Sequence, residues 1–274
     1  MTAARGNERA VAPLNLIARL RAAGCVFAED EAAVLRRAAR DATELDSLAR
    51  RRAGGEPLEH LVGEVEFGGL RLSVGPGVYV PRQRTLLLAG LAARAARRSS
   101  VVLETCAGVA PVAAYVARAV PGAELHAADV HPVSLVHAAR NLPAGAGVHC
   151  GDLLDAAPRR LIGRVGVLVA VPPYVPVGRA HELPRESREH EPAVALYGGL
   201  DGLDHVRALL DTAGAWLEPD GVLLIELARA QWRMAATYAT DAGWRTKRHE
   251  HPEVPTCVLE LHLDSGVSAL TGAA

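Results

Sequence analysis

The chain reads as an α/β protein, with a mainly parallel sheet carrying helices on both faces and a small helical domain ahead of it. Three observations predict this. Apolar residues recur at helical spacing through the first sixty positions, a glycine-rich stretch follows, and strand-length apolar runs then alternate with helical stretches.

In the first part, Leu14, Ile17 and Leu20 share one helical face, as do Val34, Leu35 and Ala38. Thr43 with Asp46 three residues later marks a helix start, and Gly54-Gly55 marks a stop. Residues 1–60 are therefore expected to form a helical domain that recognises the substrate. Val65 to Val80 contains Gly68-Gly69 and Gly75-Pro76-Gly77, turn residues between short alternating runs, so residues 61–84 predict a β-hairpin linker.

Residues 85–264 predict the sheet domain, and 265–274 a flexible tail. Val101 to Leu103, Glu124 to Ala128, Val165 to Ala170, Val222 to Leu227 and Cys257 to Leu263 read as strands. Pro111 to Val120, Val133 to Asn141 and Gln231 to Ala242 read as helices.

At 274 residues, half of them hydrophobic and 22% charged, the chain has the composition of a globular protein. A net charge of -1 gives no electrostatic footprint for nucleic acid or an anionic membrane, so neither is expected as a partner. Lys247 is the only lysine. Cys25, Cys106, Cys150 and Cys257 are too widely spaced for a zinc motif or a disulfide framework. Met1 to Ala10 lacks the apolar run of a secretory signal, and no run reaches membrane-span length, so a cytoplasmic protein is expected.

In sheets of this kind ligands sit beyond the carboxyl ends of the strands. After the first strand comes Glu104-Thr105-Cys106-Ala107-Gly108-Val109-Ala110, a turn of small residues that lets backbone approach a ligand. Asp129 follows the second strand, where an acid can accept from both hydroxyls of a ribose. Gly151-Asp152-Leu153 comes next along the chain, where a carboxylate can accept from an adenine amino group. Each acid alone reads as solvated; three in order at strand ends read as an adenosine pocket. After Val165 to Ala170 comes Val171-Pro172-Pro173-Tyr174, a stiff loop with two residues that lack amide hydrogens.

Four segments carry a resemblance. Glu66-Phe67-Gly68-Gly69-Leu70, Val80-Pro81-Arg82, the run from Glu191-Pro192-Ala193 to Gly202-Leu203, and the tetrapeptide at 171–174 resemble the HemK/PrmC protein-glutamine methyltransferases. The likeness covers roughly residues 56 to 263. Val80 to Thr85 and Cys106 look more like a side branch of that family than the enzyme acting on release factors.

The resemblance implies a class I, Rossmann-like methyltransferase using S-adenosylmethionine. It implies that Glu104, Cys106 and Gly108 line the methionine part of the cofactor, Asp129 and Val130 the ribose side, and Asp152 and Leu153 the adenine. Arg82 and Thr85 would help close the site, and Val171, Pro172, Pro173, Tyr174 and Glu191 would serve the acceptor. The acceptor would be a release-factor-like protein or a small molecule.

Two departures stand out. Val171 occupies the position of the family's asparagine, which with the next proline carbonyl holds the glutamine amide. Cys106 and Ala110 stand where glycines are usual, and Glu104 replaces an aspartate; a side chain at 106 is tolerated at negative φ and strained otherwise.

These departures leave a second reading open, a relative that binds adenosylmethionine or a partner without transferring methyl. His181, Glu182, His190 and Glu191 could offer a general base, though all but Glu191 read as a solvated loop. His249 and His251 have no third ligand at metal-site spacing, so no metal is expected.

Overall fold

A computed structural model describes residues 14–98 and 100–264. The chain divides into two compact units, one ending at Gly63 and one beginning at Glu64. The tail expected at 265–274 and the segment Met1 to Ala10 lie outside the described residues.

The first unit holds α1 (Leu14–Ala22), α2 (Ala28–Ala38), α3 (Ala42–Ala53) and α4 (Leu58–Val62). Leu16, Leu20, Ala28, Ala32, Leu35, Leu48 and Ala49 form its core. On α2 the buried face is Ala28, Ala32 and Leu35, so it is rotated from the expected one, and Ala38 is exposed. The helix start also moves. Asp41 caps α3 by accepting from the Glu44 amide at 2.8 Å, while Asp46 pairs with Arg19 at 2.8 Å. Thr43 and Asp46 mimic a capping pair, but Asp41 sits two residues earlier and reaches the Glu44 amide.

The second unit opens with an antiparallel hairpin of β1 (Glu64–Phe67) and β2 (Leu70–Ser73). Gly68 and Gly69 turn it with φ of +55° and +79°. At Gly68 a Cβ would press on Leu86 and Tyr115 at 2.7 and 2.8 Å, so only glycine fits. The hairpin belongs to the second unit, where Val65, Phe67 and Leu72, with Val74, Val78 and Val80 after it, are buried in one cluster.

Then follow α5 (Leu86–Ala95), β3 (Val101–Thr105), α6 (Pro111–Ala119), β4 (Glu124–Asp129), α7 (Pro132–Asn141), β5 (Gly147–Cys150) and β6 (Val165–Ala170). The unit continues through α8 (Arg185–His190), α9 (Asp204–Thr212), β7 (Leu217–Ala228), α10 (Trp232–Asp241), β8 (Trp244–Glu250) and β9 (Thr256–Leu263). The sheet order is β5-β4-β3-β6-β7-β9-β8, parallel except where β9 runs against β7 and β8.

Both faces are buried, which is why the strands read as continuous apolar runs. Val102, Val167, Val169, Val222 and Leu224 join the hairpin and α5–α7 on one side. Leu103, Leu168, Leu223, Ile225 and Leu227 join the core under α9 and α10 on the other. Each such side chain contributes about 1.5–3 kcal/mol on burial. The chain winds outward from β3 to β5 and then returns to β6, so order reverses between β3 and β6 and opens a crevice at their carboxyl ends. Among the described residues no helix is long and apolar enough to cross a membrane.

Candidate active site

A cavity of about 1190 Å³ opens at that crevice, and every site residue predicted from sequence lines it. Its cofactor half is built from the ends of β3, β4 and β5. Glu104 lies inside β3 rather than after it, because the strand runs on to Thr105. Its buried carboxyl accepts from the amides of Val112 at 3.2 Å and Ala113 at 2.6 Å, in the first turn of α6. The extra methylene of glutamate lets it reach that helix. Burial pushes this carboxyl up to about 8, against the pull of the two amides.

The following turn alternates strained residues. Cys106 has φ +49°, Gly108 +54° and Ala110 +59°. Cys106 therefore takes the strained option, and it and Ala110 each carry a penalty of about 1–2 kcal/mol that glycine would avoid. Gly108 is different: a Cβ there meets nothing within 4 Å, so its backbone faces open cavity. Burial, and then the charges of Asp129 and Asp152, push the Cys106 thiol up, so it stays protonated and is no nucleophile.

Asp129 closes β4. One oxygen accepts from Gly108 at 2.7 Å and the other from His131 at 2.8 Å, and each keeps lone-pair capacity toward the cavity. Burial raises its carboxyl above the ordinary range, against those two amides. Val130 lines the same wall. Gly151 ties back to the Asp129 carbonyl at 3.1 Å, and Leu153 is held at φ +42° beside exposed Asp152. A ribose-binding acid, an exposed carboxylate and a backbone open at Gly108 fit an adenosine-bearing methyl donor.

The acceptor half is a loop moulded by another loop. Pro172 and Pro173 are buried and Val171 packs on the hairpin-side core. Val175 donates to Leu196 and accepts from Gly198, both at 3.0 Å, and Gln231 donates to the carbonyls of Tyr174 and Asp201 at 2.9 Å. A Cβ at Gly198 would collide with the Pro173 carbonyl, and one at Gly202 with that of Tyr174. These glycines explain why the 191–203 run is so distinctive in sequence.

Glu191 anchors rather than attacks. It accepts from Arg82 at 2.5 Å and from the Val80 amide at 3.2 Å, with its side chain 1% exposed. Arg82 also donates to Ser187 at 3.2 Å, so the segment after the hairpin and the acceptor wall are tied together, and Thr85 lines the same cavity. Arg84 donates to the Tyr174 hydroxyl at 2.8 Å and to that of Tyr79 at 3.4 Å. Its Nε lies 3.7 Å from Glu226, which follows Ile225, the register partner of Ala170, and so sits beside Val171. Burial pushes Glu226 up to about 7, against Arg84 and Thr85.

Sequence reasoning missed Tyr79, Arg84, His205 and Gln231, all on the cavity wall. Arg84 lies within the matched 80–85 segment, which was the one available signal; no local pattern marks His205. Of the loop candidates, Glu182 reaches the wall but pairs with Arg179 at 2.6 Å, and His181 and His190 do not line it. His249 pairs with Glu260 at 2.6 Å on the sheet edge, and the described residues contain no cluster of three possible metal ligands.

Strand order, reversed last strand and a cavity at the switch point define a class I S-adenosylmethionine-dependent methyltransferase. No family model matches the chain. Among solved structures it resembles the ribosomal protein L11 methylase of Lactobacillus delbrueckii subsp. bulgaricus (TM-score 0.50, 14% identity, 67% of this chain and 80% of that one). It also resembles a methyltransferase of Pyrococcus furiosus (TM-score 0.50, 17% identity, 70% and 88%).

Among curated proteins, the release factor glutamine methyltransferase of Streptomyces coelicolor is 36% identical over 220 residues, 78% of this chain and 77% of that protein. The 4-amino-L-phenylalanine/4-methylamino-L-phenylalanine methyltransferase of Streptomyces pristinaespiralis is 38% identical over 217 residues, 76% and 72%. The chain belongs to the HemK/PrmC methyltransferase family, and S-adenosylmethionine is its methyl donor.

Proposed function

We propose that this methyltransferase acts on an amine nitrogen of a small molecule rather than on a primary amide. The observation that carries the reading is Val171: its side chain packs on the core and offers neither donor nor acceptor at the entrance to the stiff loop. A glutamine amide placed there would keep an unmatched polar group, costing about 1–3 kcal/mol, and nothing would fix its rotation. An aromatic amine is already neutral at pH 7 and needs no clamp to expose its lone pair. The relative named for amino-phenylalanine supports an acceptor of this kind.

The cofactor supplies an electrophilic methyl on a sulfonium. The nitrogen lone pair forms the N–C bond as the S–C bond breaks onto sulfur, and the nitrogen then sheds a proton. The protein's residues position and exclude water. Asp129 would hold the ribose, Asp152 and Leu153 the adenine, and Glu104, Cys106 and Gly108 the methionine side. Pro172, Pro173 and Tyr174 would form the wall against which the acceptor ring lies. Glu191 and Arg82, with Thr85, would keep the hairpin closed over it.

A second reading keeps a release-factor-like protein as acceptor. The helical unit through Gly63 favours it, as a domain that would recognise a macromolecule. Radiolabelled methyl transfer to an arylamine and to a glutamine-bearing release-factor peptide separates the two. We expect transfer to the amine alone in the wild type, and gain of glutamine transfer in Val171→Asn. Strong wild-type transfer to glutamine, no better in the variant, would overturn the amine reading. Cofactor binding with transfer to neither would favour a non-catalytic relative.

A further inference from the structure

We infer that Arg84 is a specificity residue that binds a carboxylate carried by the acceptor, so that the substrate is an amine and an acid in one small molecule. The inference rests on the amine reading above and extends it from the reacting nitrogen to the rest of the molecule. The three arginines on the cavity wall are not equivalent. Arg82 has a carboxylate at 2.5 Å in Glu191, and Arg179 has one at 2.6 Å in Glu182. Arg84 is held more loosely: its acid, Glu226, stands 3.7 Å from Nε, an ion pair with no hydrogen bond in it.

Arg84 is also largely withdrawn from water, with its side chain 28% exposed, so its charge is not well solvated either. Both of its hydrogen bonds leave from Nη2, to the hydroxyls of Tyr174 and Tyr79. Those neutral partners orient the guanidinium without neutralising it, and its buried Nε has no hydrogen-bond partner. A planar, partly buried fork of donors with no hydrogen-bonded anion is suited to a carboxylate. Tyr79, Tyr174 and the rest of the tetrapeptide line the same cavity as Arg84, so one small molecule can meet both.

The acid and amide forms of one arylamine test this in the full chain. Binding of 4-amino-L-phenylalanine and of its carboxamide would be measured by calorimetry in the presence of S-adenosylhomocysteine. The acid should bind at least tenfold more tightly than the amide. Arg84→Gln should erase that preference by weakening the acid alone, and Arg84→Lys should restore part of it. Equal affinities in the wild type, a preference that survives Arg84→Gln, equal weakening of both ligands, or binding of neither would overturn the inference. The ligand comparison in the wild type needs no variant, so a folding defect cannot imitate the result. Methyl transfer measured alongside separates the two claims. Acid preference without methylation of either amine would remove the amine reading and leave the anchor. Methylation of both with equal affinity would remove the anchor and leave the amine reading.

Discussion

Replacing Cys106 by glycine should stabilise the protein, although it removes a side chain. Cys106 sits at φ +49° in the turn after β3, where an L side chain costs about 1–2 kcal/mol. Glycine relieves that cost and returns about 0.4–1 kcal/mol through the greater freedom of the unfolded chain, leaving a net gain of about 0.5–1 kcal/mol. Cys106 lines the cavity and is not among the core residues, so little packing is lost. Ala110 provides the contrast. Its φ is +59°, but it is fully buried in the core, and losing its methyl forfeits about 0.8 kcal/mol more. Ala110→Gly should therefore come out near zero. In calorimetric unfolding, Cys106→Gly should raise Tm by about 1–4 °C, since 1 kcal/mol moves a unit of this size by about 2–4 °C. Cys106→Ala, which keeps the Cβ, should show no such gain. A fall in Tm for the glycine variant, or an equal rise for the alanine variant, would refute the assignment of strain to the backbone.

Asp129→Ala should weaken S-adenosylmethionine binding by about 1.5–3 kcal/mol, the range for hydrogen bonds to a charged group, read by calorimetric titration. Its effect should exceed that of Asp152→Ala, since Asp152 is exposed and Asp129 is partly buried. The raised Glu104 carboxyl makes stability pH-dependent. The folded value of about 8 lies above the unfolded value of about 4.5, so its contribution is full below pH about 4.5 and lost as pH rises through about 8. Glu104→Gln should flatten denaturant stability across that window, and an unchanged slope would count against the burial argument.

The parts of the site legible in sequence are those where one local pattern ends and another begins. Asp129 could be read because it follows a strand-like run, and the parallel sheet then places it and Asp152 at its carboxyl edge. What Glu104 holds could not be read, since its carboxyl turns back onto α6 only by virtue of its length. β8 was invisible for a different reason. Only Trp244 of that strand is buried, and the charged residues of this sheet-edge strand show no apolar alternation. Arg84 and Tyr174 meet across 90 positions, and no window of sequence contains that contact.

The moulding of the acceptor loop by Gly198 and Gly202 bears on how such an enzyme can change its chemistry. The path of residues 172–174 is imposed from outside, by a second loop pressed against their carbonyls and by Gln231. Val171 adds only a partly buried contact with the core, so a residue of similar size can be tried there while the path of the loop is still held from outside. A new substrate can then be reached through single substitutions at a standing template, with folding and cofactor capture left intact at every step. Gly198 and Gly202, in contrast, have no tolerated alternatives and would be the immobile positions in any such drift.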